Sequence, residues 1–150
     1  MGENTEKIVD GNGLKIAIVY SEYNGSIVNE LLRGAKDGLS KCNVSEKDIS
    51  FTQVPGAFEI PLIVKRLSLN IKFNAIIALG CVIRGETSHY DLICNEVTRA
   101  IVDISLDSNI PILHGILTTE NIEQARARSG EKMDNKGYEC ALSAVLMGLM

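Results

Sequence analysis

The densest chemistry in the chain lies in one stretch, GCVIRGETSHYD over residues 80–91. Gly85 frees the backbone there, and Thr87 and Ser88 lead directly into a segment of helical apolar spacing. A helix start carries unpaired N–H groups, so with two hydroxyls beside it this stretch can cradle an anion. An ordinary capped helix start has the same composition, and Glu86 would have to turn its carboxylate away from any bound anion. His89 falls in the first turn, where the dipole favours a neutral imidazole. Such a ring beside an anion site can shuttle a proton, although a lone histidine is more often structural.

Three further segments carry weaker signals. Tyr23 sits in the polar turn EYNG over 22–25, where an aromatic has no core to serve. It can stack on a planar ligand or cover the sheet edge. The run PGAFE over 55–59 offers backbone polar groups and the carboxylate of Glu59, which can accept bonds from polyol hydroxyls or act as a helix N-terminal acid. Arg126, Arg128, Lys132 and Lys136 form a basic stretch on an acidic chain, most often a solvated face.

The elements that must position these residues follow from two alternating periods. Residues 14–20 form a short apolar run read as a buried strand, followed by a helix capped by Ser26 and running to about residue 40. Residues 49–54 read as a strand stopped by Pro55 and Gly56, and 57–69 as a helix with Pro61 in its first turn. Residues 75–79 form a strand apolar on both faces, which implies a parallel sheet covered on each side. A loop over 80–88, a helix over 89–106, a strand over 111–117, a helix opening at 119–123 and a closing helix over 135–147 complete the order. This is an α/β three-layer domain around a four-stranded parallel sheet, with right-handed crossovers and ligands expected outside the carboxyl ends of the strands. Residues 14–150 read as one domain behind a flexible segment, 1–13.

Composition removes several function classes. The chain has 150 residues, 45% hydrophobic and 23% charged, enough for a core without disulfides or metal. A net charge of −4 argues against a nucleic-acid binder. No apolar run reaches membrane-spanning length, and the polar N-terminus lacks a signal-peptide pattern, so a cytoplasmic protein is expected. The Met1-Gly2 start fails the myristoylation pattern at Glu6. Cys42, Cys81, Cys94 and Cys140 form no CxxC pair and read as reduced, packed thiols. The one GxG, at 11–13, precedes the first strand, and Walker, nucleophile-elbow and HExxH motifs are absent.

Taken together, VPGAFEIP over 54–61, ALGCVIRGETSHYD over 78–91 and GILTTENIEQA over 115–125 resemble the lumazine synthase family of the riboflavin pathway. The similarity runs from about residue 14 to 146. It implies a flavodoxin-like fold and condensation of 5-amino-6-ribitylaminouracil with 3,4-dihydroxy-2-butanone 4-phosphate, without metal or organic cofactor. By this resemblance His89 transfers protons, and Gly85, Glu86, Thr87 and Arg128 hold the substrate phosphate. Tyr23 matches a ring-stacking position that is usually Phe. Asn24, Ala57, Phe58 and Glu59 match pyrimidine and ribityl contacts, as do Val82, Ile83 and Lys136, with Cys81 beside them.

The resemblance also places each site between neighbouring subunits. It implies a pentamer, or a 60-mer shell of twelve pentamers, with riboflavin synthase as a candidate protein partner. His114 stands where many relatives have Phe from the adjacent subunit, making that wall more polar. The run SGEKMDNKG over 129–137 departs from the shell-associated pattern at Glu131, Met133 and Asp134. A binding module holding riboflavin or a pterin without turnover, and a structural scaffold, are the competing readings. Ring binding alone needs neither His89 nor Arg128, which favours the enzyme.

Overall fold

The computed structural model describes residues 6–70 and 72–150; the Met1-Gly2 pair and the first five residues of the segment expected to be flexible lie outside them. From residue 6 onward that segment approaches the body of the domain. Val9 packs against the core, and the Gly11 N–H donates to the Cys42 carbonyl at 2.6 Å.

Four strands form one parallel sheet in the order β2-β1-β3-β4: β1 Ile16–Ser21, β2 Ile49–Val54, β3 Ala75–Ile83 and β4 Ile112–Thr119. Successive side chains of β1 enter opposite cores. Ile16 and Ile18 join one with α1 (Gly25–Lys41) and α5 (Lys136–Gly148), which also takes in Ala125 of α4 (Ile122–Ala127). Ala17 and Val19 join the other, with α2 (Ile60–Ser68) and α3 (His89–Ser108). Both faces are therefore covered, as the doubly apolar strand over 75–79 implied. Each fully buried side chain such as Ile18, Leu31 or Ile77 contributes about 1.5–3 kcal/mol of burial.

The chain leaves β1 for β2 on one side and returns to place β3 on the other. Neighbouring connections therefore diverge at the carboxyl ends of β1 and β3, which opens a crevice there.

Several boundaries differ from the sequence expectation, and at β3 the reason is tertiary. Gly80 does not end β3, because β4 runs on to Thr119 and pairs Gly80, Cys81, Val82 and Ile83 with Ile116, Leu117, Thr118 and Thr119. Space around Gly80 is tight: a Cβ there would lie 3.2 Å from Ser21 Oγ and 3.4 Å from Ile116 and Ile60 side-chain atoms. The helix expected to open at 119–123 accordingly starts later, at Ile122, with Asn121 accepting the Gln124 N–H at 2.9 Å as its cap. Helix α1 is not capped by Ser26; it begins at Gly25 behind Asn24, whose φ of 59° lies in the left-handed region that Asn tolerates. No described helix is long and apolar enough to cross a membrane.

Candidate active site

A groove of about 700 Å³ lies in the crevice at the carboxyl ends of β1, β2 and β3. That is the volume of an ordinary small-molecule site. Its first wall comes from the turn after β1. The Glu22 N–H donates to Val54 O at 2.8 Å and the Tyr23 N–H to Pro55 O at 3.1 Å, so the ladder between β1 and β2 continues past both strands. Tyr23 thereby stands on the groove with its side chain 73% exposed, an aromatic without a core to fill. Asn24, also on the groove, donates from Nδ2 to Cys81 O at 2.8 Å and fixes this turn to the end of β3.

The second wall is the turn after β2. Ala57–Glu59 form a single 3-10 turn before α2, with Ala57 buried and Phe58 60% exposed. A Cβ on Gly56 would meet Glu59 Oε2 at 3.1 Å, so the carboxylate folds back over the glycine at the groove. Cys81, Val82 and Ile83 form the floor. Burial pushes the Cys81 thiol up to about 11, so it is a neutral wall rather than a nucleophile.

Gly85, Thr87, His89 and Tyr90 close the third side. The His89 N–H donates to Thr87 Oγ1 at 3.3 Å, and nothing lies within 4 Å of where a Gly85 Cβ would stand, so backbone is accessible there. Glu86 is exposed on this loop and does not line the groove, consistent with a carboxylate turned away. Leu92, Ile93 and Glu96 extend the wall along α3 and were missed in the sequence. Their spacing of three, four and seven residues from His89 is the signal that would have found them.

Among the described residues lining this groove there is no Lys or Arg, while Glu59 and Glu96 are acidic. As it stands the groove can stack a ring and bond hydroxyls but offers no fixed cation to a phosphate. The cations expected there lie elsewhere. Arg128 ends α4, donating from Nη1 to Gln124 O at 3.1 Å, and its own carbonyl accepts the Lys136 N–H at 2.9 Å. Lys136 opens α5 with Nζ 3.3 Å from Glu139. His114, half-buried on edge strand β4, shares a hydrogen bond with Thr98 Oγ1 at 3.1 Å. Burial, and secondarily the nearby Lys136 charge, lower its pKa from the ordinary 6.5. Lys136 thus lies near enough to His114 for its charge to be felt and adjoins Arg128 through the backbone, and none of the three lines the groove. Among the described residues no group of three or more His, Cys, Asp and Glu side chains could hold a metal ion.

A comparison with protein families bears on this arrangement. The family model described as 6,7-dimethyl-8-ribityllumazine synthase matches residues 13–150.

Proposed function

The chain belongs to the 6,7-dimethyl-8-ribityllumazine synthase family, and from that premise we propose that its reaction runs in the groove of one copy completed by His114, Lys136 and Arg128 of another. The family's reaction, and therefore this chain's, is the transferase step of riboflavin biosynthesis that condenses 5-amino-6-ribitylaminouracil with 3,4-dihydroxy-2-butanone 4-phosphate. The products are 6,7-dimethyl-8-ribityllumazine, phosphate and water. The substrates are small molecules, and the family works as an oligomer.

One observation carries the two-copy reading: among the described residues the groove holds a stacking face, hydroxyl acceptors and a histidine but no cation, and Arg128 and Lys136 stand outside it. A dianionic phosphate needs fixed positive charge, and the forked guanidinium of Arg128 suits it. Tyr23 stacks on the uracil ring, and Asn24, Glu59 and the backbone around Ala57 and Phe58 hold the ring and the ribityl chain. Cys81, Val82 and Ile83 form the apolar floor, while Gly85 and Thr87, with Glu86 turned outward, cradle the phosphate. His114 and Lys136 close the pocket from the second copy. His89 moves protons as the amine attacks the ketone and water leaves to form an imine, as phosphate is eliminated, and as the second amine closes the ring with loss of another water. Holding two reactants in register supplies much of the acceleration, because association entropy is already spent on binding.

The same reading makes the pentamer the basic unit, with the 129–137 run bearing on whether twelve pentamers close into a shell. Riboflavin synthase, which takes the product, is the protein partner it brings in, and the cytoplasm the location. The test of function is to mix purified protein with both substrates and follow lumazine absorbance. A rate no higher than the uncatalysed condensation would remove the enzyme reading.

A further inference from the structure

Among the described residues, 85–88, the loop assigned above to the phosphate, make no hydrogen bond to the body of the domain beyond the first turn of α3. Among the described residues their hydrogen bonds run only to positions 89, 91 and 92. The path of the loop is therefore set by its two ends, β3 before it and the first turn of α3 after it. One side chain joins those ends. Arg84 donates from Nη2 and Nη1 to the two carboxylate oxygens of Asp91 at 3.0 and 3.2 Å, and from Nε to Glu120 beyond β4 at 2.7 Å. Its guanidinium lies 4.3 Å over the ring of Tyr90, itself a groove wall, and the Arg84 backbone N–H donates to Thr119 O at 2.9 Å.

An arginine adjoining a phosphate loop invites the reading that it binds the phosphate. Its surroundings oppose that. Two carboxylates engage this single cation, so the cluster is net negative, and the guanidinium edges that would fork a phosphate already fork Asp91. We propose that Arg84 is a positioning residue that staples β3, the start of α3 and the end of β4, thereby setting the Gly85–Thr87 cradle and His89 without touching substrate. The inference rests on the phosphate assignment of that loop.

The two readings of Arg84 part at Asp91. If Arg84 were a phosphate ligand, Asp91→Asn would free its guanidinium and tighten phosphate binding. If it is a staple, Asp91→Asn loosens the cradle and weakens binding. Calorimetric titration of the assembled protein with inorganic phosphate, together with KM for each substrate, reads the difference. Asp91→Asn and Arg84→Met should each weaken phosphate binding and raise KM for the butanone phosphate by roughly tenfold, with KM for the ribityl substrate little changed. The double variant should be no worse than either single one, because both remove the same staple. Arg84→Lys should fail to rescue, since an ammonium keeps the charge but not the fork. Glu120→Gln provides a milder break should Arg84→Met fold poorly, and should weaken phosphate binding in the same direction. Tighter or unchanged phosphate binding in Asp91→Asn, or full rescue by lysine, overturns the proposal. Wild-type protein that binds no phosphate overturns the loop assignment instead, and the staple proposal falls with it.

Discussion

Replacing Asn135 by alanine should cost the protein about 3 kcal/mol and loosen the segment that carries Arg128 and Lys136. Asn135 is fully buried, and its side chain makes three hydrogen bonds to three different segments. Nδ2 donates to Glu30 O in α1 at 2.8 Å and to Gly130 O in the preceding loop at 3.0 Å. Oδ1 accepts the Tyr138 N–H at 3.1 Å and so caps α5. Each such bond contributes about 1 kcal/mol net, which gives the total. The capping bond is the costliest loss, because Tyr138 N–H would be stranded in a buried position, whereas Gly130 O keeps a donor in Arg33 Nη2 at 3.1 Å. For a chain of this length 3 kcal/mol lowers Tm by roughly 6–12 °C. Thermal unfolding followed by circular dichroism, at matched protein concentration because an oligomer's Tm depends on it, measures this directly. Because the Ser129–Asn135 bridge and the bond from Lys136 N–H to Arg128 O adjoin the same side chain, KM for the phosphate substrate should rise in the same variant. A Tm within 2 °C or so of wild type would refute the energetic reasoning, and an unchanged KM would refute the link to Arg128.

Three further outcomes are expected. His89→Ala should slow lumazine formation by no more than about a hundredfold, since positioning survives and the condensation also runs uncatalysed; complete inactivity would show a larger role. Tyr23→Phe should leave KM for the ribityl substrate near wild type while Tyr23→Ala raises it several-fold, and equal KM values would remove the stacking role. For His114, whose folded pKa lies below 6.5, the unfolded chain binds a proton before the folded one does. Stability from this residue is therefore full above about pH 6.5 and falls as the pH drops below it. In a series of Tm values from pH 7.5 down to 5, His114→Phe should lose less than wild type, and identical slopes would contradict the assignment.

Much of the fold was legible because its signals are local. The apolar runs of β1 and β3 and the helical spacing of Ile27, Leu31, Ala35 and Leu39 state their periods without help from the rest of the chain. The true extent of β3 was not legible. Gly80 reads locally as a stop, and only the pairing of residues 80–83 with the end of β4 overrules it. Asn24 was legible as a turn residue but not as the tie to Cys81 O, a contact 57 positions distant in sequence. The groove residues at 57–59, Gly85, Thr87 and His89 fall where the sequence already placed segments after the strands of a parallel sheet, whereas Cys81, Val82 and Ile83 belong to the last pairs of β3 itself. Leu92 and Glu96 escaped because they read as one face of an ordinary helix. Arg128, Lys136 and His114 show a different limit. The basic stretch reads locally as a solvated face, and the role proposed for these residues needs a second copy, which no periodicity in one chain encodes.

The claim that each site needs two copies can be measured by complementation. A groove variant carrying Tyr23→Ala and Glu59→Ala and an edge variant carrying Arg128→Ala are each assembled alone, then unfolded together and reassembled in equal amounts. Random neighbours across a head-to-tail interface put an intact groove against an intact edge at about one interface in four. The expected mixture therefore regains roughly a quarter of wild-type lumazine formation, well above either variant alone. A mixture no more active than the average of its two components would contradict a shared site and return Arg128 to the groove of its own chain.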